Sequence, residues 1–112
     1  MEIDVKNMKR CHLVSVSGRV DSATAPDLEE KLLELVASGN GNLVIDLSQV
    51  GYISSAGLKA LLHAQIRARE KFPQGEVKLS EVPAKLRETL ELVGLHHVFK
   101  ILDDTTEAVG SF

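Results

Sequence analysis

The stretch from Leu43 to Leu62, LVIDLSQVGYISSAGLKALL, leaves the chain few ways to fold. Leu43, Val44, Ile45 and Leu47 make a nearly continuous apolar run, the pattern of a strand covered on both faces. Leu58, Leu61, Leu62 and Ile66 are spaced three and four apart and predict a helix with an inward stripe. A tight loop is expected between them, with Ser54 and Ser55 where loop becomes helix and Gly57 keeping the first turn free of bulk. A serine hydroxyl then sits at the positive end of a helix dipole.

The two serines separate when the helix is turned by about 100° per residue. Ser54 projects into the sector of Leu58, Leu61 and Gln65, so it faces inward and suits the capping role. Ser55 lies at the border of that stripe, about 40° from Lys59, with His63, Arg67 and Lys71 continuing a basic row at i+4 steps. Its hydroxyl is the reachable one. The basic row is a solvated helix face or a rim beside a modified Ser55.

The rest of the chain supports that junction. Ile3 and Val5 alternate with Glu2, Asp4 and Lys6, and Leu13, Val14 and Val16 predict a second strand, ended by Gly18, in an antiparallel hairpin. Asp21 to Pro26 holds cap residues and a first-turn proline, and Leu28, Leu32, Leu35 and Val36 form an inward stripe that stops at SGNGN. Val77 and Leu79 alternate with Glu76, Lys78 and Ser80 in a short strand. Pro83 opens a third helix with Leu86, Leu90 and Val93 inward and Gly94 as a left-handed end. Val98, Phe99 and Ile101 suggest a last short strand, and Thr105 to Val109 a closing helix. Strands alternating with helices predict a single α/β domain over residues 1–112, with parallel pairs built by right-handed crossovers.

Composition excludes several functions. Aromatics are scarce and the basic residues are scattered in a chain of net charge −3, which argues against nucleic-acid binding. The single Cys11 cannot form an internal disulfide and follows no metal spacing, and no apolar run approaches membrane-spanning length. The charged start, MEIDVKNMKR, lacks a signal-peptide core. A soluble cytoplasmic protein without membrane contact, metal or cofactor is expected. A hydrolase nucleophile elbow would need a glycine two places before Ser55, where Ile53 stands, and His63 is two helical turns from Ser55. An enzyme is not expected. His96 and His97, on an expected strand, would point to opposite faces and could not share an ion.

The motif V-x-Y-I-x-S-x-G-L after an I-D-L-S strand, here Ile45, Asp46, Leu47, Ser48, Val50, Tyr52, Ile53, Ser55, Gly57 and Leu58, resembles the anti-sigma factor antagonists, the small stand-alone members of the STAS-domain family. Gly18-Arg19-Val20-Asp21 and Leu92-Val93-Gly94-Leu95 extend the likeness over nearly the whole chain, in the family's order. The resemblance implies a mixed, mostly parallel sheet of four to five strands with about four flanking helices. It implies phosphorylation at the serine two places before the glycine, which is Ser55, with Ser54 a less favoured second acceptor. Ser54 stands where several relatives carry Asp, and Ala56 where they carry Ser or Thr. The implied partner face is Asp21, Ser54, Ser55, Ala56, Gly57 and Lys59; Asp21 either joins it or caps the first helix. By resemblance the unphosphorylated protein binds an anti-sigma factor that is itself a serine kinase, freeing a sigma factor, and a serine phosphatase reverses the modification. The rival implication is a STAS accessory subunit of a transporter ATPase or of a larger signalling assembly.

Overall fold

Eleven consecutive residues, Leu43–Ile53, form the central strand β3 of the computed structural model, which describes residues 1–112. Before it come strands β1 (Glu2–Asn7) and β2 (His12–Val20) and helix α1 (Ala25–Ser38). After it come α2 (Ser55–Arg69), β4 (Val77–Ser80), α3 (Ala84–Leu92), a short 3-10 turn (Leu95–His97), β5 (Lys100–Leu102) and α4 (Thr105–Gly110). The sheet order is β1-β2-β3-β4-β5, antiparallel at β1–β2 and parallel thereafter. This is the mixed, mostly parallel sheet that the family resemblance implied.

The two sides of β3 explain its apolar run. Leu43, Ile45 and Leu47 join the main core with Leu28 and Leu32 of α1, Leu61 of α2 and Leu86 and Leu90 of α3. Val44 points the other way, into a smaller cluster with Cys11 and Ala108 under α4. The same cover buries Lys78 and Ser80, which were expected to alternate toward solvent. The Lys78 ammonium donates to Ser111 Oγ at 2.8 Å and lies 4.0 Å from the Phe112 ring centroid.

Several elements differ from the sequence expectation for physical reasons. Strand β3 runs through Ile53, so one residue, Ser54, replaces the expected loop. Gly18 does not end β2; at φ +93° it sits where the β2–β3 register shifts, and pairing resumes at Arg19 and Val20. Helix α2 buries small residues, Gly57, Ala60, Ala64 and Ala68, along with Leu61 and Gln65, which turns Ile66 outward. Val93 lies beyond the end of α3 and is 56% exposed. His96 and His97 occupy the 3-10 turn, so their rings stack with centroids 3.8 Å apart and do not face opposite ways; no group of three or more His, Cys, Asp or Glu is placed to hold a metal.

Helix α1 lacks a left-handed cap, since Gly39 is extended at φ −128°. Lys71, just beyond α2, supplies the missing partner, its ammonium donating to the Val36 carbonyl at 2.7 Å and to the Gly39 carbonyl. That contact fixes α1 against α2. Gln65 ties α2 to the sheet: its Nε2 donates to the Val77 and Val98 carbonyls, and its Oε1 accepts from Val77 N–H at 2.8 Å. No helix is long and apolar enough to cross a membrane.

Candidate functional site

β2 and β3 end together, and their last pair, Val20 with Ile53, delivers Asp21 and Ser54 to one edge of the molecule. Ser54 N–H donates to the Val20 carbonyl at 2.8 Å, which carries the ladder one step further. Its backbone is extended at φ −83°, ψ 171°, and its Oγ accepts from Gly57 N–H at 3.2 Å while its carbonyl accepts from Leu58 N–H at 3.0 Å. Ser54 is thus the N-cap, as the turn angles predicted. Its hydroxyl is committed to the helix.

Ser55 is the first helical residue and is exposed. The first turn of α2 contains no acid, so the unpaired N–H groups and the dipole face solvent uncompensated around that hydroxyl. Ala56 is half-buried against the core, and Gly57 is buried because a β-carbon there would lie 2.6 Å from Ile53 Cγ1 and 2.8 Å from Val20 Cγ1. The glycine lets the helix start close against the two strand ends.

The expected basic row divides. His63 Nδ1 lies 2.6 Å from Glu29 Oε1 of α1, Arg67 pairs with Glu70, and Lys71 caps α1. Lys59, one turn from Ser55 and exposed, is the one member with no ion-pair or hydrogen-bond partner in the chain.

Asp21 is not the cap of α1, whose N-cap position is Thr24; it acts one turn earlier. Its Oδ1 accepts from Ala23 N–H at 3.0 Å and Thr24 N–H at 3.1 Å, shaping the turn that leads into α1, and its position beyond Val20 places it beside Ser54. The Thr24 N–H, then the Ala23 N–H, with smaller help from the Thr24 hydroxyl and Arg19, hold its carboxyl below the ordinary carboxylate value. It stays charged at neutral pH. Arg19 completes the edge, its Nε 3.4 Å from Asp21 Oδ2 and its guanidinium 4.0 Å from the centroid of the half-exposed Tyr52 ring. Sequence reasoning missed this stack, because only the β2–β3 register, which sets Arg19 opposite Tyr52, brings the two together. Behind Tyr52 a groove of about 330 Å³ runs between the end of β3 and α3, lined by Val50, Ile53, Pro83, Lys85, Leu86 and Thr89 among others.

The arrangement presents an exposed hydroxyl at the start of α2, with the exposed Lys59 one helical turn on and the Asp21 carboxylate, held by Ala23 and Thr24 N–H, at the same edge of the sheet.

Known proteins share this construction. A family model described as "Mlab, STAS domain" matches residues 3–103. The chain is 31% identical over 112 residues to BtrV of Bordetella bronchiseptica, named as a candidate anti-sigma factor antagonist, covering all of this chain and 95% of BtrV. It is 33% identical over 97 residues to the anti-sigma-F factor antagonist RsfB of Mycobacterium tuberculosis, 87% of this chain and 77% of RsfB. Its fold matches the crystal structure of an anti-sigma factor antagonist from Mycobacterium paratuberculosis with a TM-score of 0.86 at 29% identity, over 98% of this chain and 92% of that one.

Proposed function

The chain belongs to the STAS domain family, among its anti-sigma factor antagonists, and on that footing we propose a binding module switched by phosphorylation of Ser55. Unphosphorylated, it binds an anti-sigma factor through the edge formed by Asp21, Ser54, Ser55, Ala56, Gly57 and Lys59, and so releases a sigma factor in the cytoplasm. The anti-sigma factor acts as the serine kinase, and a serine phosphatase restores the binding form. The observation that carries this reading is the division of labour between the serines: Ser54 is spent on the cap, and Ser55 is exposed at an acid-free helix start.

A phosphate on Ser55 adds roughly −1.5 to −2 charges at neutral pH. In the free protein it would meet the N–H groups of the first turn and the Lys59 ammonium, which favour it. In a tight interface the same charge would have to shed water. Phosphorylation therefore weakens docking without unfolding the domain.

The test is incubation with the cognate kinase and ATP, followed by peptide mapping, alongside a pull-down from native lysate with the wild type and Ser55→Asp. One phosphate at Ser55 and loss of the anti-sigma factor from the Ser55→Asp fraction are expected. Phosphate chiefly at Ser54, or equal capture by both proteins, would overturn the assignment.

A further inference from the structure

β1 forms one edge of the sheet, with β2 on one side and no strand on the other. Its register runs from Glu2↔Ser17 to Asn7↔His12, and the next pair in sequence is hydrogen-bonded, Met8 N–H donating to the Cys11 carbonyl at 2.9 Å. Bonded and non-bonded pairs alternate along an antiparallel ladder. Glu2, Asp4 and Lys6 therefore bond to β2, and Ile3, Val5 and Asn7 turn their N–H and C=O groups to the open edge. The side chains follow the other alternation: Ile3 and Val5 pack on the main core, and Glu2, Asp4 and Lys6 are exposed on the opposite face. Neither Asp4 nor Lys6 has an ion-pair partner within the chain.

We propose that β1 pairs with β1 of a second copy of this chain, antiparallel about a twofold axis at Val5, joining two five-stranded sheets into one. The charges select that register. Core faces stay aligned, and outward groups meet, when the axis passes through Ile3, Val5 or Asn7 as a bonded pair, or through Asp4 or Lys6 as a non-bonded one. An axis at Ile3 sets Glu2 against Asp4, one at Asp4 sets Asp4 against itself at its centre although it pairs Glu2 with Lys6 at the ends, and one at Lys6 sets Lys6 against itself, so each of these opposes like charges. An axis at Asn7 leaves too little overlap. Only the axis at Val5 sets Asp4 against Lys6 of the second copy, twice, with Val5 facing Val5 and Ile3 facing Asn7. The Asp–Lys pairs fall at non-bonded positions, where side chains approach most closely. Edge charges ordinarily discourage pairing. Here they are self-complementary.

The twofold axis reverses strand direction, so the two Ser55 junctions lie at opposite ends of the joined sheet and both remain open. The proposal is independent of the switch described above. A six-residue edge is a small interface, so association in the range of roughly tens to hundreds of micromolar is expected.

Sedimentation equilibrium over a concentration series at low salt, on the full chain, tests it. The wild type should dimerise. Asp4→Lys alone and Lys6→Asp alone each set like charges opposite at two symmetry-related places and should weaken the dimer on the order of tenfold. An equimolar mixture of the two variants should recover wild-type association, as should the double exchange, because opposite charges face again. Both positions are exposed, and the mixture controls for folding. A monomer throughout the series, a dimer insensitive to either reversal, or a mixture no tighter than its components would overturn the proposal.

Discussion

Gly57→Ala places a methyl group where α2 meets the ends of β2 and β3. The added carbon would lie 2.6 Å from Ile53 Cγ1, 2.8 Å from Val20 Cγ1 and 3.2 Å from Ile53 Cδ1, against ordinary carbon contacts of about 3.5–4.0 Å. Relief is hard to find. Both neighbours are β-branched and stiff at χ1, and Val20 is fully buried. Ile53 is followed directly by the cap Ser54, so the start of the helix has to retreat from the strands. Overpacking of this kind costs about 1–3 kcal/mol, while replacing glycine by alanine in a helix returns at most about 1 kcal/mol. The balance is a net loss of up to about 2 kcal/mol. Urea melts analysed for midpoint and slope measure it, with Gly110→Ala as the control, since a β-carbon at Gly110 meets nothing within 4 Å. A Gly57→Ala protein as stable as wild type, or more so, would show that Val20 and Ile53 yield freely and that the close approach does not fix the helix start.

The two serines should separate in denaturant melts, Ser54→Ala losing about 1 kcal/mol with its cap and Ser55→Ala less; the reverse order would displace the helix start by one residue. Asp21 has a folded-state value below its unfolded value of about 3.9, so its stabilisation is complete above the unfolded value and is lost as pH falls through the folded one. The stability gap between wild type and Asp21→Asn in melts across acid pH should therefore be widest above about pH 4 and close below it; a constant gap would refute the stated cause. If Lys59 meets a phosphate on Ser55, a double-mutant cycle of Lys59→Ala with and without that phosphate should give a coupling of about 0.2–1 kcal/mol that salt reduces, and additive melts at low salt would make Lys59 a solvated residue only.

The serine assignment was legible because it depends only on helix pitch and on the chemistry of a cap, both local. The α1 stripe was legible for the same reason: Leu28, Leu32, Leu35 and Val36 all end up buried. Where contact with a third element decides, local pattern misleads. Ile66 looked inward by hydrophobicity, yet α2 lies so close to the sheet and α1 that its buried face takes alanines and a glycine. Lys78 looked solvated by alternation, yet α4, some thirty residues later in the chain, covers it. The lengths of β2 and β3 were underestimated because Gly18 read as a break and a tight loop was expected before Ser54, whereas pairing between the strands runs on to Val20 and Ile53. The Arg19–Tyr52 stack exists only through that pairing.

The geometry of the junction sets how strongly a phosphate could act and where. On the free domain its effect is bounded, because Ser55 lies outside the cap bond and outside the core, and a charge at a helix N-terminus gains about 0.3–1 kcal/mol. In a complex the dianion loses its water, which costs several kcal/mol per buried charge unless the partner supplies a matching cation. The two effects differ in sign as well as size, so a phosphate on Ser55 would leave the fold intact and oppose docking. Had the roles been exchanged, with Ser54 exposed and Ser55 capping, the modified residue would have adjoined Val20 and Asp21 directly, and the phosphate would have faced a fixed carboxylate across the ladder end. The exposed hydroxyl instead stands one residue further on, in the first turn of α2 and one helical turn before Lys59. A phosphate there would meet the N–H groups of the first turn, which favour it.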